Sequence, residues 1–229
     1  GRHSANRRYL TGFTGSAGIV LVTMDAAFLP FDPRYWQQAK EECDPNAVTV
    51  FPVRGPERAW LRDLVNTAGL AGKRVGLSPH DTTLAAFERL RAAVASLPAE
   101  EQPELVPAPP LVERLRRVKD AEEVKRIARA ASIADTALKE VLELASPGRT
   151  ELELARAIET ALLRHGGEGV AFASIVAGGP WSALPHAHPR DVPLAEGEPL
   201  VIDMGACVDG YCSDLTRTVP IGAASDRFF

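Results

Sequence analysis

The chain has 229 residues, 45% of them hydrophobic and 24% charged, a composition that supports one large or two modest globular cores. A formal net charge of −4 leaves no basic footprint, so nucleic acid is excluded as an expected partner. No apolar run approaches the roughly 20 residues of a membrane helix, and no membrane partner is expected.

In chain order, residues 9–16 (YLTGFTGS) read as a glycine-punctuated loop, followed by a buried β-branched strand at 17–23. Glycines and hydroxyls suit a phosphate nest, but a nest of that type opens a helix, and this loop opens a strand. Residues 27–31 (AFLPF) form a second strand, placed toward a sheet edge by Pro30. Asp32 then caps a helix with Pro33 at its first position. A strand at 47–53 follows, then a helix at 56–68 with Trp60, Leu61, Leu64 and Val65 on its apolar face. Residues 74–77 are a short strand, Asp81 caps a helix running to about Ser96, and 105–107 close the series as a last strand. Strands alternating with helices predict a small α/β domain.

Four prolines fall within residues 103–110, the best linker in the chain. The expected domains are therefore 1–109 and 110–229. Residues 120–145 have helical periodicity, with Val124, Ile127, Ala128, Ala131, Ala134, Leu138, Val141 and Leu142 inward. Glu122, Glu123, Lys125, Arg126, Lys139 and Glu140 then make a solvated charged face. Thr150 and Glu153 form a capping box that starts a helix to about Arg164. A strand at 171–177 leads into a loop rich in Gly, Pro and His. The last residues, 225–229 (SDRFF), read as a helix N-cap and its first turn, the start of a segment that continues.

The most informative stretch is 200–221, LVIDMGACVDGYCSDLTRTVPI. Two apolar runs meet at Asp209-Gly210, a strong hairpin signal for a two-residue turn. That turn sets Val208 opposite Tyr211, Cys207 opposite Cys212, Gly205 opposite Asp214 and Asp203 opposite Thr216. Side chains alternate along a strand, so Asp203, Gly205, Cys207, Cys212, Asp214, Thr216 and Thr218 share one face. Asp203 and Asp214 lie diagonally, about 7 Å apart at their backbones, with Gly205 leaving the space between them empty. Two carboxylates on one face of an otherwise apolar hairpin resist burial unless a cation lies between them. Oxygen donors in a pair point to a hard or borderline divalent ion and suit a two-metal site. The alternative is a hairpin with one solvated face, on which two Asp are harmless.

His186 and His188 precede the hairpin in a loop rich in Gly and Pro, and they are not expected to share one task. Three cysteines, Cys43, Cys207 and Cys212, are too few for a disulfide framework and suggest a reducing compartment, hence a cytoplasmic location. Cys207 and Cys212 read as small apolar thiols beside the site rather than ligands.

The segment from Asp203 to Gly205 and then from Gly210 to Thr218 (GYCSDLTRT) resembles the signature of the pita-bread metallopeptidases: Xaa-Pro aminopeptidases, prolidases and methionine aminopeptidases. Residues 182–186 (SALPH) resemble the segment that supplies a substrate-binding histidine, and 113–123 the start of the catalytic domain. Residues 9–16 with 32–35 (DPRY) resemble the N-terminal domain of the Xaa-Pro peptidases and creatinases, which methionine aminopeptidases lack. The resemblance implies an α/β creatinase-like domain followed by an α+β pita-bread domain that is truncated here at its C-terminal side. It implies two divalent metal ions, manganese first, cobalt or zinc otherwise, with Asp203 and Asp214 as ligands. His186 would be the catalytic, substrate-stabilising histidine, and Thr216 would support Asp203 from behind. The expected activity is hydrolysis of X-Pro bonds in proline-containing peptides, as an aminopeptidase or alternatively a dipeptidase (prolidase), in a homodimer. Creatinase-like amidine hydrolysis and a metal-less binding protein are further alternatives. The family completes its site with one His and two Glu that would follow Phe229, so the 229 residues alone are expected to bind metal weakly and to lack peptidase activity.

Overall fold

Helix α1 (Arg2–Thr11) takes in the first part of the stretch expected to be a loop, and the chain turns out of it at Gly12, whose φ of +77° suits glycine. The computed structural model describes residues 2–224. The helix start expected at 225–229 lies outside them. Arg7 organises the loop that follows: its buried guanidinium donates to the carbonyls of Gly15 and Gly18 and lies over the Phe13 ring.

The strand expected at 17–23 is reduced to β1 (Leu21–Val22), and Ile19 and Val22 are more than half exposed, so it is an edge and not a buried strand. β2 (Ala27–Phe31) is the centre of its sheet, correcting the edge placement. It has β1 antiparallel on one side; α2 (Trp36–Glu42) intervenes in the chain, and β3 (Val48–Pro52) is parallel on the other side. The Pro30 carbonyl accepts from Ile19 on the β1 side, just past the end of β1, so the N–H that proline lacks falls where that ladder is ending. Asp32 accepts from the Arg34 N–H at 3.0 Å and Pro33 opens a short 3-10 turn into α2, as the capping chemistry predicts.

α3 (Glu57–Thr67) buries Trp60, Leu61, Leu64 and Val65, the four residues its periodicity picks out. β4 (Arg74–Leu77) is followed by α4 (Leu84–Ala95), whose cap is Thr83 and not Asp81; Asp81 instead accepts from the Ser78 hydroxyl. β5 (Glu104–Pro107) pairs in parallel with β4, so part of the proline-rich stretch is strand. α5 (Leu111–Arg116) is tied to α1 through Asn6, which donates to Glu113 and accepts from Arg116, each at 2.7 Å. These elements make one compact unit, residues 1–118, and 119–229 make a second.

The second unit opens with α6 (Ala121–Leu144), whose capping box joins Asp120 and Glu123. Its inward face is Ala130, Ile133, Ala134, Ala137, Leu138 and Val141, whereas Val124, Ala128 and Ala131 face solvent. Of the residues expected inward, Ala134, Leu138 and Val141 are buried and Ile127 and Leu142 half-buried, so the stripe holds over the second half of the helix and fails at Val124, Ala128 and Ala131. α7 (Glu151–Arg164) starts at the expected Thr150–Glu153 box. The strand expected at 171–177 is two, β6 (Gly169–Val170) and β7 (Ile175–Gly178). A 3-10 turn at Gly179–Ala183 and the histidine loop lead to β8 (Pro199–Met204), β9 (Ala206–Val208), β10 (Tyr211–Cys212) and β11 (Leu215–Pro220).

Leu154, Ile158 and Leu162 of α7 meet Leu200, Ile202 and Met204 of β8 in one core. The three β8 side chains fix the register of the site. A one-residue slip would expose all three, roughly 5–9 kcal/mol at about 1.5–3 kcal/mol each, and would bury Asp203 instead.

Candidate metal centre

The turn is the one the Asp-Gly pair predicts: Asp209 has φ +48° and Gly210 φ +71°, both in the left-handed region of a type I′ turn. Val208 pairs with Tyr211, Cys207 with Cys212 and Asp203 with Thr216, matching the expected register. The hairpin is not one continuous ladder. It breaks at Gly205 and at Ser213-Asp214, so its tip joins β6 in the order β10-β9-β6 and its base joins β7 in the order β11-β8-β7. Ser213 explains the break: its hydroxyl accepts from Ala206 N–H at 3.0 Å and donates to the Ala130 carbonyl of α6 at 3.1 Å. At Gly205 a Cβ would lie 2.1 Å from the Ser213 carbonyl oxygen and 2.9 Å from Ala171 Cβ, so only glycine fits there.

Opposite β8 and β9 the partner strand carries two extra residues. Ala171 N–H donates to Gly205 O, but the next pair is Ile175 with Asp203. The bulge between them places Ser174 inward, and its Oγ is buried without a hydrogen-bond partner among the described residues.

Alternation leaves Leu200, Ile202, Met204, Ala206 and Val208 buried, while Asp203 is half-buried and Asp214, Thr216 and Thr218 are exposed. The Thr216 hydroxyl donates to Asp203 Oδ1 at 2.8 Å. It orients that carboxylate and leaves Oδ2 available. The donor set, two carboxylates on an open sheet face, fits a hard divalent cation; Asp203 and Asp214 are the residues that would hold it. Among the described residues, no group of three or more His, Cys, Asp or Glu gathers as a metal site.

His186 is exposed in the loop after the 3-10 turn, and no hydrogen bond links it to either carboxylate among the described residues. His188 is exposed too, and its carbonyl accepts from Trp181 Nε1 at 3.3 Å. His165 Nε2 lies 3.0 Å from Glu140 Oε2, in an exposed contact between the end of α7 and α6.

Three structural partnerships escaped the sequence reading. Glu123, counted among the solvated charges, is 6% exposed. It accepts from Tyr211 Oη at 3.0 Å, pinning the start of α6 to the hairpin tip, and burial followed by this bond pushes the Tyr211 pKa up. The Asp120-x-x-Glu123 capping spacing was its available signal. Glu151, 1% exposed, receives Gly178 N–H and the Arg190 Nη2 on Oε1, and the Arg190 N–H and Nε on Oε2, at 2.6–2.9 Å. Burial pushes its pKa up, but the Arg190 side chain, the two backbone N–H groups and the Arg190 charge together outweigh it and hold Glu151 below the usual range. Arg190 in turn lies over the Trp181 ring, 4.4 Å from its centroid. Glu151, Trp181, Leu184, Arg190 and Leu194 line a hollow of about 430 Å³ beside the histidine loop. Nothing in the spacing of Glu151 and Arg190 foretold that pair. Ser213 is the third, and the hairpin pattern assigns it no role.

The profile of the Creatinase/Prolidase N-terminal domain matches residues 2–118, and that of Metallopeptidase family M24 matches residues 125–228. The chain belongs to this family: a creatinase/prolidase N-terminal domain followed by an M24 metallopeptidase domain of pita-bread type. The Bacillus subtilis protein named "Uncharacterized peptidase YqhT" is 35% identical over 98% of this chain and 61% of its own length. An X-Pro aminopeptidase structure from Thermotoga maritima superposes with TM-score 0.86 at 35% identity, covering 98% of this chain and 61% of that one. An Xaa-Pro dipeptidase structure from Bacillus anthracis gives TM-score 0.88 at 31% identity, covering 98% and 60%. The chain thus spans about three-fifths of the length of these relatives. Among the described residues no helix is long and apolar enough to cross a membrane.

Proposed function

We propose that the whole protein is a metal-dependent exopeptidase that hydrolyses X-Pro peptide bonds, acting as an Xaa-Pro aminopeptidase. The observation that carries this reading is the open-face pair Asp203 and Asp214, with Thr216 orienting Asp203, on a chain whose relatives are named as X-Pro peptidases. Two divalent ions, manganese in the first place, would be held in part by these carboxylates and would supply a water of lowered pKa. The chain's own residues do the rest: Asp203 is kept in one orientation by Thr216, and the exposed His186 imidazole binds the peptide and offers a donor to the oxygen that gains charge at the scissile carbonyl. A cytoplasmic homodimer acting on proline-containing peptides belongs to the same reading, the location supported by three free thiols.

Prolidase activity is the second reading, favoured by relatives that carry that name, such as the Bacillus anthracis structure. Hydrolysis of X-Pro dipeptides and X-Pro-X tripeptides in added Mn²⁺ separates the two. Cleavage of tripeptides is expected; activity confined to dipeptides establishes the prolidase reading. Turnover that survives a chelator would instead indicate creatinase-like chemistry, and no bound metal with no turnover a binding role.

A further inference from the structure

Cys207 and Cys212 stand directly opposite each other across the Asp209-Gly210 turn. The pairs on either side of them are the hydrogen-bonded ones: Val208 and Tyr211 close the two-residue turn, and Ser213 N–H donates to the Ala206 carbonyl at 2.9 Å. Such pairs alternate along an antiparallel ladder, which makes Cys207–Cys212 a non-hydrogen-bonded pair. The Cys207 carbonyl accordingly bonds on the opposite side, accepting from Glu168 N–H at 2.8 Å. At a non-hydrogen-bonded pair the Cα atoms approach to about 4.5 Å, inside the roughly 4.4–6.8 Å over which disulfides close. Both thiols are free. Cys212 is exposed and Cys207 half-buried, whereas Cys43 is buried in the core of the first unit.

We propose that Cys207 and Cys212 form a reversible dithiol/disulfide couple, a redox modification site at the hairpin tip that takes small-molecule disulfides of the glutathione class as its oxidant. One cysteine, as thiolate, attacks a sulfur of the small disulfide; an S–S bond breaks, one small thiol leaves, and a mixed disulfide forms on the protein. The facing cysteine then attacks the protein-borne sulfur and expels the second small thiol. Two electrons pass from the cysteine pair to the oxidant, and the two thiol protons leave with the released thiols. A disulfide closed at this pairing is opened again by small thiols through the same exchange run in reverse. It would fix the tip two residues from Asp214, on the face that carries both carboxylates. This inference stands whether or not the protein is a peptidase.

The test is incubation of the folded full chain with excess oxidised glutathione, followed by intact mass and peptide mapping. The expected product has lost two hydrogens and retained no glutathione, is linked between residues 207 and 212, keeps Cys43 as a free thiol and reverts with dithiothreitol. Cys207→Ser and Cys212→Ser should each retain one glutathione instead. A wild-type chain that holds glutathione without closing the ring, stays fully reduced, or forms the linkage only after unfolding overturns the proposal.

Discussion

Glu151 and the pair Asp203–Asp214 are carboxylates of one unit whose oxygens are used in opposite ways. Both oxygens of Glu151 are occupied by protein donors, four hydrogen bonds in all, in a setting 1% exposed. Among the described residues Asp203 receives one bond, from Thr216, and Asp214 receives none. The difference separates two roles that sequence alone does not distinguish. A buried acid with every lone pair satisfied is part of the scaffold, here joining the start of α7 to the end of β7 and the loop after His186. Acids held on an open face with oxygens to spare are available to a ligand.

The largest effect that could break this contrast is expected at Glu151. Glu151→Ala leaves Arg190 and the Gly178 N–H without their acceptor; loss of one partner from a buried pair costs about 3–5 kcal/mol, and the 36% exposure of the Arg190 side chain puts the expectation near 3 kcal/mol. Urea denaturation reads it as a lower midpoint at unchanged slope. A loss under about 1 kcal/mol would show that the pair is merely a surface contact. The pH dependence has a definite sign. The folded pKa of Glu151 lies below its ordinary 4.5, so its contribution is fully present above that value and disappears as pH falls through the lower folded value. The stability gap between wild type and Glu151→Gln should therefore stay constant near neutrality and close in acid. A gap that widens in acid contradicts the assignment.

At the open face the pattern should reverse. Asp203→Asn and Asp214→Asn are expected to change stability by no more than about 0.5 kcal/mol, since each removes a solvated charge and weakens repulsion with the other. Each should reduce Mn²⁺ affinity at least tenfold, about 1.4 kcal/mol, by calorimetry on the full-length protein. Stability loss comparable to that of Glu151→Ala, with Mn²⁺ affinity intact, would make these two acids structural as well.

How much of this was legible beforehand follows from which physical signals are local. Turn chemistry is local: the Asp-Gly pair fixed the hairpin register, and period-2 alternation put Asp203 and Thr216 opposite each other, as observed. Capping is local too, which is why the helices that start after Asp32 and Thr150 were placed correctly. Burial along the first half of an alanine-rich helix is not, so Val124, Ala128 and Ala131 face solvent and Glu123 is buried, against the periodic expectation. The break at Gly205 depends on a hydroxyl of Ser213 reaching α6, and Glu151 meets Arg190 across 39 residues of chain. Neither leaves a mark in spacing. The shared face of Asp203 and Thr216 is readable because both lie within one hairpin, whereas the contacts that anchor the hairpin, Ser213 to the Ala130 carbonyl and Tyr211 to Glu123, reach α6 across more than 80 residues of chain.

Thr216 offers the smallest and most discriminating test of the contrast. Among the described residues its hydroxyl is the one group bonded to Asp203, and the bond is exposed, so its net worth is at most about 1 kcal/mol. Thr216→Val keeps the β-branched shape that suits β11 and removes only the donor. If Asp203 is a ligand held ready, the variant should fold as stably as wild type to within that figure and lose a few-fold in Mn²⁺ affinity, less than Asp203→Asn. Thr216→Ser restores a hydroxyl and should recover most of the affinity. Combining Thr216→Val with Asp203→Asn should add nothing further, because the hydroxyl acts only through that carboxylate. Additive losses in the double variant would mean that Thr216 serves the site by some route other than Asp203.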